Sequence, residues 1–308
     1  MQSPSIPNNS VPDSGSGAWT ISRVLQWTTS YFNKQGIDNG RVDAEILLAH
    51  ALGRSRIDLY LSHDQPLESN ELEKFKELIK RRAAREPVAF IIGRKEFWSH
   101  TFAVSKEVLI PRPETECLVE TAIEIIARSD GHGQGRVRVL ELGTGSGAIV
   151  ITLAGERPKN TYFATDMSLA ALNIAVRNSQ RILPGNKINW IVGDWLEAVK
   201  EHGGQFDLIV SNPPYICKDL IDTLQPEICR FEPSIALDGG IDGLDCYRRI
   251  IPEASRRLSP GGYLLLEIGF DQKESISQVA ATCQQVGSVS FKKDYSGHDR
   301  VAVLKMRR

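Results

Sequence analysis

Cysteine is scarce in this chain, and its placement is informative. The five residues, Cys117, Cys217, Cys229, Cys246 and Cys283, are odd in number and scattered, with no C-x-x-C pair. This argues against a disulfide framework and a cysteine-built zinc site. The six histidines show no H-x-x-x-H spacing, so no metal is implied. Charge of one sign is also missing. Lys plus Arg number 37 against 38 Asp plus Glu, a net charge of −1. No global positive field points to nucleic acid. Long apolar runs are absent too; a stretch such as YLLLEIGF is far too short to span a bilayer. The opening MQSPSIPNNSVPDSGSG has neither a basic start nor an apolar centre, and it lacks arginine. It reads as neither a secretory signal nor a transit peptide. A disordered lead-in over residues 1–18 is expected, in a protein of the reducing cytoplasm.

What remains is an ordinary globular composition. With 308 residues, 41% hydrophobic and 24% charged, the chain has room for two cores. From residue 19 to 88 the apolar spacing is helical, and a small bundle is expected. Thr20 stands as a cap before ISRVLQWTTSYF. RVDAEILLAHALG follows, with Gly53 as its stop, and ELEKFKELIKRRAARE is ended by Pro87. Residues 89–112, including FIIGRKEFWSHTFAV, suggest a β-hairpin linker. A third segment, 113–308, opens on the helix PRPETECLVETAIEII. Beyond Gly135 it alternates between strands (VRVLELG, TYFATD, INWIVGD, FDLIVSN, YLLLEIG) and helices. Such alternation predicts a parallel sheet covered by helices. The stretch from Pro213 to Asp245 lacks periodicity, and a loop of that length is usually functional.

Chemistry concentrates at the ends of the predicted strands. ELGTGSGAI joins the first of them to a helix. Gly143, Gly145 and Gly147 permit a tight turn and close backbone approach to a ligand. The following helix turns its free N–H groups toward that ligand. Asp166 ends the next strand, where a carboxylate can take hydrogen bonds from a ribose. Together they describe a nucleoside-bearing cofactor. A dinucleotide also remains open, because Gly143, Gly145 and Ala148 fit G-x-G-x-x-A. Asp194 and Trp195 of GDW follow the third strand. They either flank an adenine or, for the tryptophan, fill the core. The fourth strand ends in SNPPYI. Asn212 offers an acceptor and a donor, and Pro213 and Pro214 hold stiff carbonyl acceptors. Acceptors converging on an NH₂ group would grip a planar nitrogen, with Tyr215 as a flat face beside it.

ELGTGSGAI, TDMS, GDW and SNPPYI in this order resemble class I S-adenosylmethionine-dependent methyltransferases acting on exocyclic or amide nitrogen. VLIPRPETE (108–116), EPSIALDGGIDGLDCYRRI (232–250), LLLEIGFDQ (264–272) and DYSGHDR (294–300) extend the likeness to the release-factor glutamine methyltransferase family, over nearly all of the chain after the lead-in. The resemblance implies a Rossmann-like sheet in 113–308, a helical N-terminal domain that recognises substrate, and a connecting hairpin. It implies N5-methylation of the glutamine in the Gly-Gly-Gln motif of class I peptide-chain release factors. S-adenosyl-L-methionine would be held by Gly143, Thr144, Gly145, Ser146, Gly147, Asp166, Met167, Asp194, Trp195 and Asn212. The glutamine would be held by Asn212, Pro213, Pro214 and Tyr215, with Arg112 and Glu114 from IPRPETE. His298, in SGHDR, stands where a more basic residue is expected. The chain's own Gly203-Gly204-Gln205 reads as a coincidental turn.

The residues agree with such chemistry. A sulfonium has a neutral leaving group and needs no acid, whereas an amide nitrogen is a poor nucleophile that must be positioned. No histidine or lysine base is evident. A monomer without membrane or direct nucleic-acid partners is expected. Two other substrates stay open: a glutamine of a large-subunit ribosomal protein, and a nucleic-acid base, which the near-neutral charge disfavours.

Overall fold

Thr20 precedes an apolar run of helical spacing, and its hydroxyl takes the Arg23 N–H (3.4 Å), capping α1, Ile21–Lys34. The computed structural model describes residues 18–130, 136–185, 187–200 and 206–308. The expected lead-in up to residue 17, the loop 131–135 and the Gly203-Gly204-Gln205 turn lie outside these. The chain divides into two compact units, Met1–Ile92 and Gly93–Arg308. In the first, α2 (Gly40–Leu52), α3 (Arg56–Leu61), α4 (Ser69–Ala83) and α5 (Val88–Ile92) join α1. They enclose a core that includes Phe32, Leu47, Leu48 and Phe75. Gly53 ends α2 in the left-handed region, φ 64°, where a side chain would be strained.

One expectation is corrected here. Pro87 does not terminate α4, which already stops at Ala83. Its carbonyl accepts the N–H groups of Phe90 and Ile91 and starts α5, a first-turn position that suits proline. Phe90, Ile91 and Ile92, expected in the hairpin, are therefore helical.

The second unit begins with β1 (Arg94–Phe97) and β2 (His100–Ala103), paired antiparallel. Their two-residue turn, Trp98–Ser99, has φ of 49° and 59°, a conformation that usually selects Asn-Gly. Trp98 is held in it by Glu116, which accepts its N–H (2.9 Å), and by Glu156, which accepts its indole N–H (2.8 Å). Phe97 is only 2% exposed and packs edge-on against Phe102. It has no face left for a partner.

The remaining elements follow in order: α6 (Glu116–Asp130), β3 (Arg138–Leu142), α7 (Ala148–Glu156), β4 (Thr161–Asp166), α8 (Leu169–Ile182), β5 (Ile188–Val192), β6 (Phe206–Ser211), the short α9 (Pro226–Cys229), α10 (Asp245–Ser255), β7 (Leu258–Glu267), α11 (Lys273–Ala281), β8 (Val286–Lys293) and β9 (Asp299–Met306). Seven strands form one sheet in the order β5-β4-β3-β6-β7-β9-β8. The first five are mutually parallel. Alternate residues of each strand feed opposite faces. Val139, Leu208, Val210 and Leu265 enter one core; Leu140, Ile209, Leu264 and Leu266 enter the other. Burial on both faces explains why these strands read as continuous apolar runs.

The sheet departs from expectation at one edge. β9 runs antiparallel to β7 and pairs with β8 through the DYSGHD turn. Those two strands were absent from the expected set, although VSF and VAVLKM carry the β-branched alternation that signals them. Among the described residues no helix is long and apolar enough to cross a membrane.

Candidate active site

Strand register brings the motifs together. Leu142, which ends β3, lies opposite Thr165 on one side and Ser211 on the other, and Asp166 lies opposite Val192. The segments leaving these strands therefore emerge side by side. The chain runs outward from β3 to β5 and then returns to β6, so β3 and β6 flank the point where strand order reverses. Ligands of open α/β sheets bind at such a point. The Ser211 hydroxyl donates to the Leu142 carbonyl (2.9 Å), tying the glycine loop to the asparagine loop.

A cleft of about 530 Å³ opens there. Of the expected residues, Arg112, Gly143, Thr144, Gly145, Ser146, Asp166, Met167, Asp194, Trp195, Asn212 and Pro214 line it. Four others stand elsewhere. Gly147 begins α7 at φ 82°, and a Cβ there would meet Ile151 at 2.6 Å, so its smallness serves helix packing. Pro213 is buried, and Glu114 is exposed in the turn Pro113–Thr115. Tyr215 is half-buried against the second core, with its hydroxyl donating to Glu267 Oε1 (3.4 Å). Trp195 is not simply a core residue. It packs partly on the second core and lines the cleft. Its ring lies 3.3 Å from where a Gly143 Cβ would be, so glycine is required for this approach.

The electrostatics of the lining lean negative. Asp166 Oδ2 accepts the Gly145 N–H and Oδ1 the Ser168 N–H, both at 2.8 Å. Burial raises its pKa, and the two N–H bonds oppose that rise. Glu141 is fully buried. Its Oε2 accepts from the Thr144 hydroxyl (2.6 Å) and the Val150 N–H (3.0 Å), yet burial pushes it up to about 8. The two arginines of the lining are already matched. Arg249 Nη2 bonds Asp194 Oδ2 (2.8 Å), and Arg112 is paired with the buried Glu232, which also accepts the Ile110 N–H (3.2 Å). Among the described residues neither Glu141 nor Asp166 has a cationic partner. A nucleoside that carries positive charge fits, with Asp166 keeping lone pairs for ribose hydroxyls and Gly145 offering open space at its Cα.

Asn212 completes the site. Its Nδ2 donates to the Thr115 hydroxyl (3.3 Å), no described residue donates to its Oδ1, and the residue lines the cleft. Sequence reasoning missed Glu141, Glu232, Cys246 and Arg249. Glu141 was visible as a carboxylate inside an apolar strand, whereas Cys246 and Arg249 reach the cleft, and Glu232 reaches Arg112, only through the fold.

Residues 23–93 match the PrmC N-terminal domain, and residues 126–224 match the methyltransferase small domain. The catalytic domain of hMettl16, solved in complex with MAT2A 3'UTR hairpin 1, shares the fold at a TM-score of 0.56 and 16% identity. That similarity covers 75% of this chain and 81% of that one. The fold and cleft are those of a class I methyltransferase. The release factor glutamine methyltransferase of Rhodopirellula baltica is 40% identical over 293 residues, 93% of this chain and 96% of that protein. That of Xylella fastidiosa is 45% identical over 266 residues, covering 85% and 92%. That of Geobacter sulfurreducens is 42% identical over 258 residues, covering 84% and 87%. The chain belongs to the release factor glutamine methyltransferase family.

Proposed function

We propose that this protein methylates the side-chain amide nitrogen, N5, of the glutamine in the Gly-Gly-Gln motif of class I peptide-chain release factors. The methyl donor is S-adenosyl-L-methionine. Its sulfonium supplies an electrophilic methyl group with a neutral leaving group. The chain's own residues bind and orient. Asp166 takes the ribose hydroxyls, Trp195 and Met167 flank the base, and the Gly143–Ser146 loop admits the ligand's backbone-side approach. Asp166 provides negative charge suited to a cationic donor.

The observation that carries this reading is the state of Asn212. Its nitrogen donates to Thr115, no described residue donates to its oxygen, and it lines the same cleft as the glycine loop. One amide hydrogen of the substrate glutamine bonds Asn212 Oδ1, and a carbonyl of the two prolines takes the other. Both hydrogens held in one plane leave the nitrogen lone pair facing the donor. Positive charge growing on that nitrogen strengthens both bonds, so they favour the transition state over the ground state. No base is required before methyl transfer, since the proton is shed from a cationic product. The N-terminal helical unit recognises the intact release factor. The enzyme works as a cytoplasmic monomer without nucleic acid.

The test is methyl transfer from labelled donor to purified release factor, large-subunit ribosomal protein and RNA side by side. Release factor should be the acceptor. Asn212→Ala should lower kcat/KM by about two powers of ten or more, with donor affinity little changed. An Asn212→Ala enzyme of normal turnover would mean the glutamine is held elsewhere.

A further inference from the structure

The end of β7 carries a carboxylate that none of these steps uses. Glu267 is 1% exposed, and its contacts run to the substrate edge of the cleft. Oε1 accepts from the Tyr215 hydroxyl (3.4 Å). The Thr115 hydroxyl lies against the same carboxyl and favours its ionised form. Thr115 Oγ1 in turn accepts from Asn212 Nδ2 (3.3 Å). Oε2 is buried and, among the described residues, has no made hydrogen bond. A buried acceptor without a donor is costly, and the Thr115 hydroxyl is the donor at hand. Carboxylate, hydroxyl and amide thus stand in a row.

A hydroxyl has a single hydrogen. When it points to Glu267, Thr115 can only accept from Asn212. The amide must then present NH₂ to Thr115 and Oδ1 to the cleft. We propose that Glu267 is a positioning residue: through the Thr115 hydroxyl it sets which end of the Asn212 amide faces the substrate. This rests on Asn212 being the acceptor for the substrate's amide hydrogens. A protonated Glu267 reverses the chain. It donates to Thr115 and releases the threonine hydrogen. Asn212 can then turn over, accept that hydrogen through Oδ1 and offer NH₂ to the cleft. There it would meet the substrate's own NH₂, and two donors do not bond.

Burial pushes the Glu267 carboxyl up to about 7, against the opposing pull of Thr115, Arg300 and Tyr215; Glu114 adds to the rise. Cys117 on α6, Tyr247 on α10 and Asp294, which bonds Arg300 (3.1 Å), are the other ionisable groups around it. The carboxylate, and with it the productive amide, prevails above that pH and is lost below it.

The test follows the side-chain NH₂ signals of Asn212 by NMR in ¹⁵N-labelled protein without release factor, from about pH 5.5 to about 8.5. Their loss in Asn212→Asp assigns them. A titration near neutral pH is expected in the wild type. It should vanish in Glu267→Gln and Thr115→Val and return in Thr115→Ser. Signals that stay flat in the wild type, or titrate unchanged in Glu267→Gln, overturn the proposal. In parallel, wild-type kcat toward release factor should fall about tenfold per pH unit below the midpoint. Glu267→Gln should lose that acid limb while donor affinity holds; an unaltered limb counts against the proposal. A wild type that transfers nothing to release factor would remove the proposed substrate, and the NMR titration would still decide the network.

Discussion

Replacing Asp166 separates the two tasks its carboxylate performs. A carboxylate has about four lone-pair sites. Two are taken by the Gly145 and Ser168 N–H groups, each at 2.8 Å, so two remain for ribose hydroxyls. Asp166→Ala removes all four. In the ligand-free protein it leaves two backbone donors unpaired, which costs about 1–3 kcal/mol each where they stay dry. Relief of a buried charge offsets part of this, because burial already raises the Asp166 pKa. On binding, two hydroxyls lose their acceptor. At about 1–3 kcal/mol, Kd for S-adenosylmethionine should rise about 5- to 150-fold. Asp166→Asn should do less harm, since one oxygen remains and only one backbone donor faces an NH₂. Calorimetric titration gives the binding loss. Thermal melts with and without saturating donor give the stability loss separately. An Asp166→Ala protein that binds the donor within about twofold of the wild type would refute the ribose assignment. Measurable NADH binding by the wild type, with none for S-adenosylmethionine, would revive the dinucleotide alternative.

Gly143→Ala places a Cβ 3.3 Å from the Trp195 ring at φ 68°, and should cost about 1–2 kcal/mol in stability and weaken donor binding; unchanged melting and calorimetry would contradict the close approach. Glu141 has a folded pKa raised to about 8, above its unfolded value near 4.5, so the unfolded chain loses that proton first. Wild-type stability should therefore fall as pH rises from about 5 to 8, by up to about 1.4 kcal/mol per unit, and Glu141→Gln should flatten this slope in urea melts. Equal slopes would show that the carboxyl is not held neutral. A fragment starting at Gly93 keeps the whole second unit, including α6, whose Leu118 and Ile126 are fully buried. It should bind donor but methylate intact release factor poorly; full activity would free the N-terminal helices from substrate recognition.

Much of this protein was legible in its linear pattern because the signals are local. A cap at Thr20, a left-handed stop at Gly53, five apolar strand runs and the glycines after β3 each follow from neighbouring residues and backbone sterics. Proline chemistry ended β6 at Ser211, and a carboxylate was readable at the end of β4. Where two local readings compete, pattern fails. Pro87 can stop one helix or start the next, and only packing against the first core selected the latter. The antiparallel β8–β9 edge depends on pairing with β7, a partner distant in sequence.

The catalytic edge divides along the same line. Residue types and their order along the chain were enough to propose a nucleoside cradle and a planar-nitrogen grip, since each motif is a short loop with its own chemistry. Tertiary structure alone decided which atoms are free to act. Register set Leu142 beside Ser211, burial raised Glu141 and Glu267, and segments far apart in the chain paired Arg249 with Asp194, Glu232 with Arg112 and Thr115 with Asn212. Hydrogen-bond partners and local dielectric are properties of neighbours in space, and a sequence lists neighbours only along the chain.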